Sequence, residues 1–150
     1  MKSKFIDAYM DVAERFGKLS TARRLNVGSI IVKDNRIISI GYNGMPSGWD
    51  NNCEDSVMWK DGVQLTQPVL KSKPEVLHAE SNAIAKLARS NESGEDATLF
   101  VTHSPCLECS KLIYQSGITT LYYKHEYRSQ DGIEFLKKSN INVHCVDANG

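Results

Sequence analysis

The sequence predicts an α/β protein in which a five-stranded mixed sheet forms the middle of three layers, with helices on both faces. Three observations predict it. Apolar residues recur at helical spacing near the N-terminus, two β-rich runs joined by a polar turn follow, and the second half alternates helical and strand patterns to its end. At 150 residues with 41% hydrophobic composition, the chain suits one domain, residues 1–150, large enough to bury a core around a site.

Each element has its own signal. Phe5, Tyr9, Val12 and Phe16 fall on one side of a helix from roughly Lys4 to Lys18. The acids in that segment are unlike a signal peptide, and no run anywhere approaches a membrane span. Val27 to Val32 and Ile37 to Tyr42 are β-rich, and Asp34-Asn35-Arg36 between them reads as a hairpin turn. From Asn43 to Leu77 the chain is polar without convincing periodicity, a length uncommon for a connection unless it shapes a site. A helix from Ala79 to Arg89, a strand Thr98 to Thr102, a helix Cys106 to Gln115 closed by Gly117, a strand Ile118 to Tyr123, a helix near Gly132 to Lys138 and a strand Ile141 to Val146 complete the pattern. Their alternation implies crossovers between parallel strands.

Charge and cysteine usage narrow the function. Lys plus Arg and Asp plus Glu are 18 each and scattered, so the chain lacks the basic footprint of a polynucleotide binder while leaving room for a small anionic substrate. Of the four cysteines, two lie close together and Cys53 and Cys145 stand apart, which suits a metal pair plus two spare thiols in a reducing, cytoplasmic setting. For Cys53, Cys145, His125 and His144, ordinary core or surface roles are the simpler reading.

Two short segments carry the chemistry: His78-Ala79-Glu80 and Pro105-Cys106-Leu107-Glu108-Cys109. Cys106 and Cys109 sit at i and i+3 near a helix start, so both sulfurs face one side of the turn, where the helix dipole and a bound cation favour thiolates. His78 completes a three-ligand set that leaves a fourth tetrahedral position open, as catalytic zinc requires. Residues two apart on a helix diverge, so if His78 and Glu80 serve one site, His78 must stand at the non-helical entry. Two thiolates soften zinc as a Lewis acid, so a nearby base must help. Glu80 can take a proton from water, pass it to ring N3 as hydroxide attacks C4, and later protonate the departing ammonia. His-x-Glu followed by Pro-Cys-x-x-Cys is the signature of zinc nucleobase deaminases.

With Val27-Gly28, Gly41-Tyr42-Asn43-Gly44-Met45-Pro46-Ser47-Gly48, His78 through Ile84 and Ser104 through Cys109 added, the chain from about Phe5 to its last strand resembles the deoxycytidylate deaminase family of the cytidine deaminase superfamily. That resemblance implies a three-layer α/β/α cytidine-deaminase-like fold and hydrolysis of dCMP to dUMP, with zinc on His78, Cys106 and Cys109 and Glu80 as proton shuttle. Asn43, Ala79 and Tyr127 would contact substrate; Ser20, Arg23 and Arg24 are candidates for its 5′-phosphate. It further implies a homo-oligomer, a hexamer, activated by dCTP and inhibited by dTTP with Mg2+, with Tyr42, Asn43, Gly44 and Arg89 at the effector site. The central segment holds only Cys53 and no histidine, which argues against the second, structural zinc of some relatives. His103 departs from the apolar residue expected before Ser104 and reads as a rim residue or, less simply, a fourth ligand. Rival readings are a tRNA adenosine, free cytidine or other small-molecule aminohydrolase, and a non-catalytic zinc module in which Glu80 would have no task. Charge balance disfavours the tRNA version.

Overall fold

The computed structural model describes residues 1–127 and 129–146. Eleven elements follow in order: α1 (Ser3–Gly17), β1 (Gly28–Lys33), β2 (Arg36–Tyr42), β3 (Glu54–Lys60), β4 (Val63–Ser72), α2 (Ala79–Ala88), β5 (Thr98–His103), α3 (Leu107–Gln115), β6 (Thr120–His125), α4 (Asp131–Lys138) and β7 (Asn142–Cys145). The main sheet runs β2-β1-β5-β6-β7. β1 pairs antiparallel with both β2 and β5, whereas β5, β6 and β7 are parallel and joined by α3 and α4. This is the five-stranded mixed sheet the pattern predicts.

Burial explains the layers. β1 and β5 are central and almost wholly buried, so their residues serve both faces. Ile30, Val32 and Phe100 pack under Met10 and Ala13 of α1 on one face. Ile31, Leu99, Val101 and Leu121 meet Ala83, Leu87, Ile113 and Leu136 of α2, α3 and α4 on the other. Among the described residues no helix is long and apolar enough to cross a membrane.

Several boundaries move by a residue or two, and one region changes character. The first turn is the pair Asp34-Asn35, both at positive φ, so Arg36 belongs to β2. Asn43 to Leu77, expected to be irregular, contains the β3–β4 hairpin, turned through Asp61 (φ 53) and Gly62 (φ 79). Beyond Glu54 its strands are largely exposed and a bulge interrupts them near Met58, so no alternation of apolar and polar residues marks them. The Asp-Gly pair was the legible signal.

Candidate active site

Two helix starts converge on one spot. His78 is the N-cap of α2 with extended backbone (φ −79, ψ 154), the non-helical entry that lets it and Glu80 serve the same centre. α2 is seated by polar bonds to the hairpin strands: Ser29 Oγ donates to the Ala79 carbonyl (2.8 Å), Ser39 Oγ to that of Ala83 (2.6 Å), and Asn82 Nδ2 to that of Tyr42 (2.8 Å). A side chain at Gly41 would overlap the Ala79 carbonyl, so glycine there permits β2 to lie directly against the first turn of α2. Cys106 is the N-cap of α3, and its sulfur accepts from the Cys109 N–H (3.5 Å).

The donor set fits zinc. Cys106 Sγ lies 3.7 Å and Cys109 Sγ 3.4 Å from His78 Nδ1, and the three donor atoms all lie within 4.8 Å of one another. Sulfur and nitrogen ligands of a tetrahedral zinc stand about 3.5 Å apart, from bond lengths of about 2.3 and 2.0 Å. Electrostatics point the same way. Hydrogen bonds from Cys109 and His78 drive the Cys106 thiol down to about 4, and that bond to Cys106, with burial, pushes Cys109 up. A divalent cation between the sulfurs would favour the thiolate form of both. The bond to Cys106 raises the His78 imidazole against the opposing effect of burial.

Glu80, 5% exposed, sits in the first turn of α2 beside these atoms. Burial pushes its carboxyl up to about 7, outweighing the pull of its own backbone N–H and of His78. His78, Ala79, Glu80 and Cys106 line one part of a cavity of about 330 Å³ that Arg24, Asn43, Lys73, His103 and Tyr127 help to enclose. That volume is at the small end of the range of about 300–1,000 Å³ for small-molecule sites.

Other expected residues divide. Asn43 is fixed at both ends, its Oδ1 accepting from Val27 N–H (2.9 Å) and its Nδ2 donating to the Leu25 carbonyl (2.8 Å). Arg24 reaches the cavity, donating through Nη2 to Tyr127 Oη (2.6 Å) and through Nη1 to Ser72 Oγ (3.1 Å). Ser20 and Arg23 do not line it: Ser20 Oγ accepts from Ala22 N–H, and the Arg23 guanidinium turns to Asn52 and Glu54. Tyr42 and Gly44 also lie outside it, Gly44 pairing with Leu77 in an isolated bridge, and Arg89 caps the far end of α2 in solvent. His103 is at the rim, its Nδ1 2.8 Å from Thr102 Oγ1, and is outside the three-donor group. Sequence reasoning missed Glu54 and Lys73, both on the cavity wall, because each arrives on the unrecognised hairpin and its exit.

Residues 3–125 match the family described as "Cytidine and deoxycytidylate deaminase zinc-binding region". ComE operon protein 2 of Bacillus subtilis is 35% identical, over 85% of this chain and 64% of its own length. The deoxycytidylate deaminase of Enterobacteria phage T4 is 37% identical, over 80% of this chain and 78% of that protein. The crystal structure of dCMP deaminase from the cyanophage S-TIM5 in complex with dCMP and dUMP superimposes with a TM-score of 0.85 at 43% identity, covering 97% of this chain and 99% of that one. The chain thus spans nearly all of the cyanophage protein but less than two thirds of the Bacillus one.

Proposed function

Because the chain belongs to the cytidine and deoxycytidylate deaminase zinc-binding family, we propose that it hydrolyses dCMP to dUMP and ammonia, supplying dUMP for thymidylate synthesis. The observation that carries this is the buried Glu80 beside a three-donor zinc cluster, at a cavity that also holds a guanidinium. The dCMP and dUMP bound to the cyanophage relative support the choice of base and phosphate.

His78, Cys106 and Cys109 would hold zinc, which when bound would supply a Lewis acid able to make water nucleophilic near neutral pH. Glu80 takes one proton from the attacking water and delivers it to ring N3 of cytosine as the water oxygen bonds to C4, then takes the remaining hydroxyl proton and gives it to the amine as the C4–N bond breaks and ammonia leaves. A carboxyl near 7 is suited to both directions of transfer at neutral pH. Asn43, Ala79 and Tyr127 orient the nucleotide, and Arg24, braced by Tyr127 and Ser72, meets its 5′-phosphate.

The same proposal includes regulation in a cytoplasmic homo-oligomer, a hexamer, activated by dCTP and inhibited by dTTP with Mg2+. Continuity of the Tyr42-Asn43-Gly44 turn with the site supports it: Asn43 lines the cavity, the Tyr42 carbonyl holds α2, and Gly44 pairs with the residue before His78. Arg89 completes the effector contacts. Ammonia release measured across dCMP, deoxycytidine, cytidine and a tRNA tests the reading. Efficient release from dCMP alone is expected, and release from tRNA or nucleosides with dCMP inert would overturn it.

A further inference from the structure

A buried carboxylate with no part in the proposed chemistry stands at the phosphate end of the cavity. Glu54, at the start of β3, is 1% exposed and lines the cavity wall. Both its oxygens accept backbone N–H groups from the segment before β1: Arg23 donates to Oε1 (3.2 Å) and Oε2 (2.9 Å), and Arg24 donates to Oε2 (2.8 Å). The Arg23 Nε lies a further 3.6 Å from Oε1. No carboxylate among the described residues forms an ion pair with Arg24, whose guanidinium is aimed by neutral groups, Tyr127 Oη and Ser72 Oγ. The arrangement therefore separates two tasks: a buried anion holds the arginine's main chain, and uncharged partners leave its side-chain charge for an incoming anion.

We propose that Glu54 is a positioning residue for monophosphate selectivity, acting through the Arg23-Arg24 main chain without touching substrate. This rests on the reading of Arg24 as the phosphate contact. Charge-assisted bonds to two successive N–H groups fix where the Arg24 Cα stands, and hence where its guanidinium ends. A glutamine at 54 can keep one oxygen at the Oε2 position for both N–H groups, but it loses the charge that strengthens those bonds and turns its NH2 toward the Arg23 N–H and Nε that now face Oε1.

The test compares wild type and Glu54→Gln, both zinc-loaded, for binding of dUMP and deoxyuridine by calorimetry and for kcat and KM on dCMP. In the variant the dUMP-over-deoxyuridine preference is expected to fall about 10- to 100-fold. KM for dCMP rises by a similar factor, while kcat falls much less and zinc stays at one per chain. A folded variant that keeps the wild-type preference, or that loses both ligands and kcat equally, overturns the proposal. If Glu54→Gln does not fold, Glu54→Asp decides: it keeps the charge but shortens the reach, so a reduced preference is expected and an undiminished one overturns the idea. A wild type that binds dUMP no better than deoxyuridine instead defeats the monophosphate reading itself.

Discussion

The Glu80 carboxyl links catalysis to stability, because a group held near 7 in the folded chain titrates near 4.5 when free. The folded state thus binds its proton more tightly. Its stabilising contribution is complete below about 4.5 and is lost as pH rises through about 7, an effect of at most ~3 kcal/mol. In chelator-treated protein, Glu80→Gln should therefore melt increasingly above wild type as pH is raised from 5 to 8. Calorimetry checks the sign, and a gap that narrows with pH contradicts it. Cys106→Ala and Cys109→Ala should lose zinc and several kcal/mol of stability, since metal binding and folding are coupled; metal analysis with denaturation decides this. These residues were legible because their chemistry is written in two contiguous motifs. Glu54 was not, since its partners lie 30 and 31 positions away and only folding brings an acid to those N–H groups.

At the scale of elements, alternation exposed the parallel half of the sheet, and helix starts could be read from His78 and Cys106. The β3–β4 hairpin escaped because its partly exposed strands lack the burial that writes a period-2 pattern, and because Val57, Met58 and Trp59 run together at a bulge. Its importance for the site is at its base, where Glu54 and Ser72 brace the arginine segment. The seat of α2 was equally hidden, since Gly41 reads only as a strand residue that opens a family segment until the Ala79 carbonyl is seen against it. Gly41→Val should destabilise the fold by about 1–3 kcal/mol through overpacking. It should also weaken zinc, because displacing the first turn moves His78. Denaturant titration and chelator competition measure the two effects; an unchanged zinc affinity in a destabilised variant would separate β2 packing from the metal site.

Across the whole molecule, balanced charge and a cavity of about 330 Å³ suit one small anionic ligand. Arg24→Gln should reduce the catalytic preference for dCMP over deoxycytidine by about 10- to 100-fold. Arg23→Gln should do less, because its guanidinium faces Asn52 and Glu54 instead of the cavity. Effector coupling of about 1–3 kcal/mol would change substrate affinity roughly 5- to 150-fold. Saturation curves should then be sigmoidal, steeper with dTTP and Mg2+ and flatter with dCTP, and hyperbolic curves insensitive to both triphosphates would remove the regulatory part alone. The central claim, that this zinc cluster and Glu80 together deaminate dCMP, meets its most direct test in dUMP formation by zinc-loaded wild type and Glu80→Gln, with metal content measured on the same samples. About one zinc per chain is expected in both, with nearly all turnover lost in the variant. Comparable turnover by the two proteins, or no dUMP from the zinc-loaded wild type, would contradict it.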